Sequence, residues 1–269
     1  MFDSGMGGLT VLRALARRLP YAHYRYLGDT ARLPYGTKSP ATVRRYAERA
    51  AEALTRTPLD ALVVACNTAS AYALPALKSQ LHPLPVFGVI EPGAERVATS
   101  ASGVGRDPVV LVLATEATVR EGAYERALLA RLPGARVFAR PAPLLVALAE
   151  SGDSSRPIAD AILADALTIA PGASLTHVLL GCTHFPLFAA AIESFAGSLL
   201  PLDVRVVDSA ATTADAVARA LSGSDSASAP TASGSPSFEF LVTDDPQRFT
   251  RLGERFLGRL PAAVALVDL

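Results

Sequence analysis

Cysteine is scarce in this sequence. Cys66 and Cys182 are the only two among 269 residues, and more than a hundred residues separate them. Two cysteines are too few for a disulfide scaffold, and each follows an apolar segment, a setting typical of reduced thiols in a reducing compartment. We therefore expect a cytoplasmic protein with free thiols, in which the surroundings of each cysteine matter more than their number.

Net charge and long apolar runs are also absent. The 25 basic and 25 acidic residues balance to zero, which removes the broad attraction that nucleic acid or an anionic membrane surface would need. No apolar run approaches the length of a membrane span, and the chain opens without the basic and apolar regions of a secretory leader. We expect no nucleic-acid partner and no membrane association.

Short apolar, β-branched runs alternate with longer amphipathic stretches from end to end. This pattern predicts an α/β fold in which crossover helices join parallel strands. One helix is predicted over about 8–19, and Ser39 followed by Pro40 marks the start of another. The Ser-, Gly- and Ala-rich segment 222–237 predicts a flexible insertion. The predicted strands are 24–27, 61–65, 86–89, 109–113, 135–138, 176–180, 204–207, 239–242 and 263–267.

The two cysteines occupy matching positions. The segments 62–68 and 178–184 each run from an apolar strand through a cysteine into polar residues that open a helix. Open α/β sheets bind ligands where strands end, and a helix N-terminus favours an anion. We therefore expect these thiolates to form more easily than usual. The alternatives are that each cysteine is a small buried hydrophobic residue and that the repeat is coincidence.

A glycine-rich turn at residues 3–8 precedes a helix, and two further polar turns follow at 29–30 and 34–36. Glycine leaves backbone N–H groups free to approach a carboxylate or a phosphate. The turn is not a dinucleotide fingerprint, because Thr10 stands where the third glycine would be. It is not a P-loop either, because no Lys-Ser or Lys-Thr pair follows it. Taken alone, it could be only a turn.

A metal site is not expected. His184 follows Cys182 by two residues, but zinc needs more ligands of this kind, and no CxxC or HExxH spacing occurs. A Cys–His hydrolase is a further alternative, although it would leave Cys66 without a role. Three histidines stand in no motif and are interpreted as structural or surface residues: His23, His82 and His177.

Together these segments resemble the glutamate racemase family along almost the whole chain. It is their common order and spacing that carries the resemblance. The sequence departs from the family in two places. The chain begins at Met1, so the first strand is either very short or lost to the choice of start, and a cysteine often found upstream of Glu150 is absent. The matching segments are Phe2–Leu12, Gly28–Thr30, Pro34–Gly36, Ala65–Ala69, Gly88–Gly93, Thr115–Thr118 with Tyr124, Leu180–His184 and Val207–Ser209.

The resemblance implies two pseudo-symmetric α/β domains, each a mainly parallel sheet flanked by helices, with the active site in the cleft between them. The first domain would comprise 1–91 and 207–269, and the second 92–206. The catalytic residues implied are Cys66, Cys182, Asp3 and His184. The substrate-binding residues implied are Asp3, Ser4, Pro34, Tyr35, Gly36, Asn67, Thr68, Thr115, Thr118, Thr183 and His184, with Asp29 and Glu150 as auxiliary acidic residues.

The reaction implied is the interconversion of L- and D-glutamate without a cofactor, which would supply D-glutamate for peptidoglycan. One thiolate removes the α-proton, and the thiol on the opposite side returns a proton. Amino-acid racemases that use pyridoxal phosphate bind it through a lysine. The only lysines are Lys38 and Lys78, and neither stands in a phosphate-binding context, so we expect no cofactor.

Two kinds of alternative stay open. A related aspartate or hydantoin racemase would present similar cysteine turns, and a non-catalytic amino-acid-binding protein could use the same cleft. In the resembling aspartate enzymes an acidic residue commonly follows Cys-Thr, whereas here His184 does, which favours glutamate as the small-molecule partner. Assembly as a homodimer is compatible with the sequence but is not indicated by it.

Overall fold

The computed structural model describes residues 1–102, 107–152, 156–168, 174–195, 197–201, 203–222, 235–259, 261 and 263–269. Strands and helices alternate along them. The strands are β1 Phe2–Asp3, β2 His23–Gly28, β3 Leu62–Val64, β4 Val86–Gly88, β5 Val109–Ala114, β6 Arg136–Pro141, β7 His177–Gly181, β8 Arg205–Asp208, β9 Ser237–Val242 and β10 Val264–Leu266. The α-helices are α1 Leu9–Arg18, α2 Pro40–Thr55, α3 Asn67–Gln80, α4 Ile90–Ala101, α5 Glu116–Glu121, α6 Ala123–Arg131, α7 Pro143–Ser151, α8 Arg156–Leu167, α9 Ala189–Glu193, α10 Ser209–Ser222 and α11 Pro246–Leu257.

The described strands form two parallel sheets. The large sheet has six strands in the order β10-β9-β2-β1-β3-β4, and the small sheet has four in the order β6-β5-β7-β8. This architecture confirms the predicted α/β class with two mainly parallel sheets. The domain boundaries at 91/92 and 206/207 stay a prediction; strand β8, which includes residues 207 and 208, pairs with the small sheet.

The predicted elements agree closely with the structure. All nine predicted strands form, with ends within three residues of the prediction, and β1 is only two residues long. Ser39 caps α2, because its side chain accepts a hydrogen bond from the N–H of Thr42 at 3.3 Å. Most of the predicted flexible insertion, residues 223–234, lies outside the described residues.

The extent to which a strand is buried depends on its position in the sheet. Every residue of β5 and β7, at the centre of the small sheet, is buried, as expected where helices cover both faces of a parallel sheet. The edge strand β6 is partly exposed. Helix α10, which follows β8, packs on α1 and on α4, and this packing joins the two sheets.

The carboxyl end of β2 lies directly against the glycine-rich turn that follows β1. A side-chain carbon added at Gly28 would lie 2.6 Å from the carbonyl oxygen of Gly5 and 3.3 Å from the ring of Phe249. Backbone cannot yield as a flexible side chain can, so this approach requires glycine. It fixes the turn that carries Ser4, and therefore one wall of the site described below.

We predict that Gly28→Ala lowers the free energy of unfolding by about 1–3 kcal/mol, because the new methyl group would overpack against backbone. Urea denaturation measures the change. Gly93→Ala in α4 is the matched control, since its methyl group would meet Tyr124 at an ordinary 3.5 Å. That variant should gain about 0.5–1 kcal/mol from replacing a helical glycine. A Gly28→Ala protein as stable as the parent would show that the close approach does not fix the turn.

Candidate active site

Both cysteines line one small cavity. Ser4 follows β1, Cys66 follows β3 and Cys182 follows β7, so the carboxyl ends of strands from both sheets meet there, as expected for a ligand site in a parallel α/β protein. The cavity volume is about 20 Å³, close to the space that a single water needs. The residues that line it are Ser4, Pro34, Tyr35, Gly36, Cys66, Asn67, Thr68, Thr115, Val146, Glu150, Cys182, Thr183 and His184.

Cys66 caps the N-terminus of α3. Its sulfur accepts a hydrogen bond from the N–H of Ala69 at 3.4 Å and lies 3.7 Å from the hydroxyl oxygen of Ser4. Burial and, to a lesser extent, the negative charge of Asp3 raise the pKa of Cys66 to about 12, although the contacts with Ala69 and Ser4 oppose the rise. The expectation of an easily formed thiolate is therefore wrong for Cys66. Burial outweighs the favourable field of the helix N-terminus.

Asp3 is fully buried beside this cysteine but does not line the cavity. One carboxylate oxygen accepts the N–H of Gly5 at 3.1 Å, and the other has no hydrogen-bond partner among the described residues. Burial raises the pKa of Asp3, and the charge of His184 opposes the rise. Asp3 is thus a buried acid placed between the Cys66 and His184 sides.

The Cys182 side carries a chain of polar groups. The Nδ1 atom of His184 lies 3.7 Å from the Cys182 sulfur, and its Nε2 atom lies 3.1 Å from an Oε1 of Glu150. Burial lowers the pKa of His184, but the contacts with Cys182 and Glu150 raise it more strongly, to about 10. The imidazole is therefore held in its charged form between the Cys182 sulfur and the Glu150 carboxylate.

Hydroxyl and amide groups connect the two sheets across the cavity. The Thr68 hydroxyl, at the start of α3, lies 2.9 Å from that of Thr115 and 3.1 Å from that of Thr118. The Asn67 side chain donates to the Tyr124 hydroxyl at 2.7 Å, and its carbonyl oxygen has no partner among the described residues. Thr118 supports Thr68 and Thr115 from behind and does not itself line the cavity.

The loop that carries Tyr35 and Gly36 closes one side. The Tyr35 hydroxyl donates to Asp29 at 2.6 Å, and Thr243 donates to the other oxygen of the same carboxylate at 2.9 Å. A side-chain carbon at Gly36 would lie 2.7 Å from Thr115, so this loop touches the small-sheet side. Asp29 is buried behind the loop, outside the cavity, where it holds Tyr35 in place.

Several residues around the site were not found from sequence. Val146 lines the cavity, and Tyr26 donates its hydroxyl to the Gly5 carbonyl at 2.8 Å. Phe256 packs edge-on against the His184 ring, with centroids 5.4 Å apart, and Arg248 approaches Glu150. Both belong to α11, near the C-terminus. The only signal for them in the sequence is the apolar face of that amphipathic helix, which predicts burial but not a partner.

No group of three or more His, Cys, Asp or Glu side chains that could hold a metal ion occurs in the part of the chain that the structure describes. Within the same residues, none of the helices has the length and apolar character needed to cross a bilayer. Both described cysteines are free and buried. The groups that line the cavity are two cysteine sulfurs, an imidazole, the Glu150 carboxylate, hydroxyls and amides.

Comparison with known proteins identifies the family. Residues 8–217 match the Asp/Glu/Hydantoin racemase family model. The chain belongs to this racemase family. It is 42% identical to the glutamate racemase of Koribacter versatilis, over all of this chain and 96% of that protein, and 43% identical to that of Geobacter metallireducens, over 96% of this chain and 92% of that protein. These relatives place it among the glutamate racemases.

A solved structure supports the same family assignment. The crystal structure of glutamate racemase from Francisella tularensis in complex with D-glutamate superposes with a TM-score of 0.87 at 31% identity. The alignment covers 99% of this chain and 96% of that one. The two-sheet α/β fold is thus that of the glutamate racemases, and the family's members are isomerases.

We predict opposite charge states for two buried histidines at pH 7. His184 should be a charged imidazolium, with a pKa near 10. His177 should be neutral, because burial, with a contribution from Arg205, lowers its pKa to about 4. Nitrogen-15 NMR of the imidazole rings distinguishes the two states, and His184→Gln should remove only the high-pH titration. A neutral His184 ring at pH 7 would contradict the electrostatics described here.

The same shift predicts a pH dependence of stability. The folded-state pKa of His184 lies above its ordinary value of 6.5, so its contribution is complete below about pH 6.5 and is lost as the pH rises toward 10. The free energy of unfolding should therefore fall more steeply across this window in the parent protein than in His184→Gln. Equal slopes in the two proteins would count against a raised pKa.

Proposed function

We propose that this protein interconverts L- and D-glutamate by two-base proton transfer between Cys66 and Cys182, without a cofactor. The observation that carries the proposal is that both sulfurs line one cavity, each supplied by a different sheet. A carbon bound between them would have a thiol on each face. One thiolate removes the α-proton while the opposite thiol supplies a proton, which inverts the centre and leaves the pair reversed for the return reaction.

Because the pKa of Cys66 is raised, the substrate itself must help to form the thiolate. At neutral pH this group is a thiol, so a base on this side must form when the substrate binds. An amino-acid substrate brings an ammonium group, and a positive charge within about 4–6 Å favours a thiolate. The side-chain oxygen of Asn67, a residue that lines the cavity, has no partner among the described residues and is suited to accept an N–H of that ammonium.

The carboxylates of the substrate would meet hydroxyl and backbone N–H groups. Ser4, Thr68 and Thr183 line the cavity, and α3 begins there with its N-terminus. Donors of this kind also stabilise the oxyanion character that develops as the α-proton leaves. On the Cys182 side, His184 and Glu150 would hold and tune the thiol, and Asp3 would do so for Cys66.

A cavity of about 20 Å³ is too small for glutamate. Binding therefore requires the two sides to separate and then close, and closure would exclude water from the carbanion. The loop at Tyr35–Gly36 and the threonine contacts at Thr68 lie on this dividing surface. We propose that they part when substrate enters.

Glutamate is favoured over the alternatives. The relatives that are 42% and 43% identical are glutamate racemases, and His184 stands where the resembling aspartate enzymes carry an acidic residue. Chiral analysis after incubation with L-glutamate, L-aspartate and other amino acids separates a glutamate racemase from an aspartate or hydantoin racemase and from a binding protein. Formation of D-glutamate would give the protein a role in supplying peptidoglycan precursors in the cytoplasm. Assembly as a homodimer and the domain boundaries at 91/92 and 206/207 stay proposals.

We predict that Cys66→Ala and Cys182→Ala each lower racemisation by at least about 10²–10⁴-fold, the usual contribution of a general acid or base. Circular dichroism at a wavelength sensitive to glutamate chirality follows the reaction. The lysine-free variant Lys38→Ala/Lys78→Ala is the matched control and should keep its activity. Unfolding curves verify that each variant is folded. Substantial racemisation by either cysteine variant would refute the assignment.

Isotope incorporation tests the two-base step directly. In heavy water, the product enantiomer should carry deuterium at the α-carbon, while substrate recovered early stays largely unlabelled, because each face has its own acid–base group. Mass spectrometry after chiral separation measures the label. Equal early labelling of both enantiomers would indicate one base that serves both faces.

A further inference from the structure

Helix α11 belongs to the large-sheet side but touches the Cys182 half of the cavity. It follows β9 of the large sheet. Its buried Phe256 packs at 84° against the His184 ring, and Arg255 donates to the carbonyl of Ala149 in α7 at 3.4 Å. A side-chain carbon at Gly152, just after α7, would lie 3.4 Å from Leu252. These contacts dock α11 along α7 and His184.

Arg248 lies in the first turn of this helix, on the side of Glu150. The backbone there is fixed, because Asp245 caps the helix by accepting the N–H of Arg248 at 2.9 Å. The Arg248 guanidinium lies 4.0 Å from Oε2 of Glu150. The other oxygen of the same carboxylate is the one that lies 3.1 Å from His184. One carboxylate thus lies between two cationic side chains, His184 from the small-sheet side and Arg248 from the large-sheet side.

The exposures of the two partners differ. The side chain of Arg248 is 40% exposed, whereas that of Glu150 is 15% exposed. Arg248 therefore lies at the rim, where it can be replaced without opening the core, and Glu150 lies one layer deeper. The charged and titratable groups that face His184 are Cys182 after β7, Asp3 at the end of β1 and Glu150 on α7, with Arg248 on α11 behind Glu150.

We propose that Arg248 is a positioning residue for the reaction: it holds the Glu150 carboxylate against the His184 imidazole, and so keeps the Cys182 side of the cavity in working geometry. The proposal deepens the proposed function and rests on it for the role of His184. Arg248 itself touches neither the cavity nor either sulfur. It acts through Glu150, and α11 thereby links the docking of the large-sheet side to the acid–base group of the small-sheet side.

Arg248 could act on His184 by positioning Glu150 or only through its own charge, and the two roles change the pKa of His184 in opposite directions. If Arg248 acted only through its charge, its removal would take a positive charge away from the imidazole and raise the pKa of His184. If Arg248 holds Glu150 in contact, its removal frees the carboxylate to turn toward solvent. The imidazole then loses one of the contacts that raise its pKa, and the pKa falls. The sign of the change therefore distinguishes the two roles.

The test is Arg248→Gln, with the His184 pKa measured by nitrogen-15 NMR in the full-length protein. We expect the pKa to fall toward the value found in Glu150→Gln, which sets the limit of a lost carboxylate. We also expect kcat/KM to fall about two- to fivefold, the scale of an ion pair at this exposure. Arg248→Lys, which keeps a charge but not the guanidinium geometry, should restore both in part.

Arg251→Gln is the matched control, because Arg251 is an exposed arginine on the same helix and should leave both measurements unchanged. An unchanged or raised His184 pKa in Arg248→Gln overturns the proposal. So does an equal fall in Arg251→Gln. Because the NMR measurement needs no turnover, a protein that proved not to racemise glutamate would refute the proposed function while this test still decided the role of Arg248.

Discussion

Two thiols can invert one carbon only when they approach it from opposite faces, and in the proposed mechanism that condition rests on contacts between two separate sheets. Cys66 follows a strand of the large sheet and Cys182 a strand of the small one. Neither sheet could hold the pair alone. The hydroxyl contacts of Thr68, the Asn67–Tyr124 hydrogen bond and the docking of α11 bring the sulfurs to one cavity.

In the proposed mechanism, the two thiols perform mirror-image tasks in surroundings that differ. Cys66 lies at a helix N-terminus, beside a serine hydroxyl and the buried acid Asp3. The pKa of Cys66 is raised. Cys182 has a charged imidazole backed by a carboxylate. The two segments of strand, cysteine and helix therefore share only their backbone arrangement. The polar groups around each sulfur come from different elements. Burial makes charge in this cavity costly, so in the proposed reaction the charges of the substrate become part of the acid–base balance.

The sequence predicts the elements well because their signals are local. Apolar runs of β-branched residues, a serine before a proline at a helix start, and glycine-rich turns each specify backbone within a few residues. The predicted thiolate at Cys66 failed for the corresponding reason: a helix N-terminus is a local feature, whereas burial and the nearby Asp3 depend on chain segments far away in sequence. The contacts of Phe256 and Arg248 with the site could not be predicted for the same reason, because α11 reaches His184 and Glu150 only through tertiary packing.

By itself, the sequence determined the α/β class, the positions of the strands, the two cysteine turns and the family to which they point. Tertiary structure alone decided that both sulfurs share one small cavity, that Asp3 and Asp29 stand behind its wall rather than in it, and that a C-terminal helix packs against His184. The physical reason is the distance along the chain over which each interaction acts. Propensity, capping and turn chemistry act between neighbours along the chain, while burial, electrostatic shifts and cross-sheet contacts act between groups that only folding brings together.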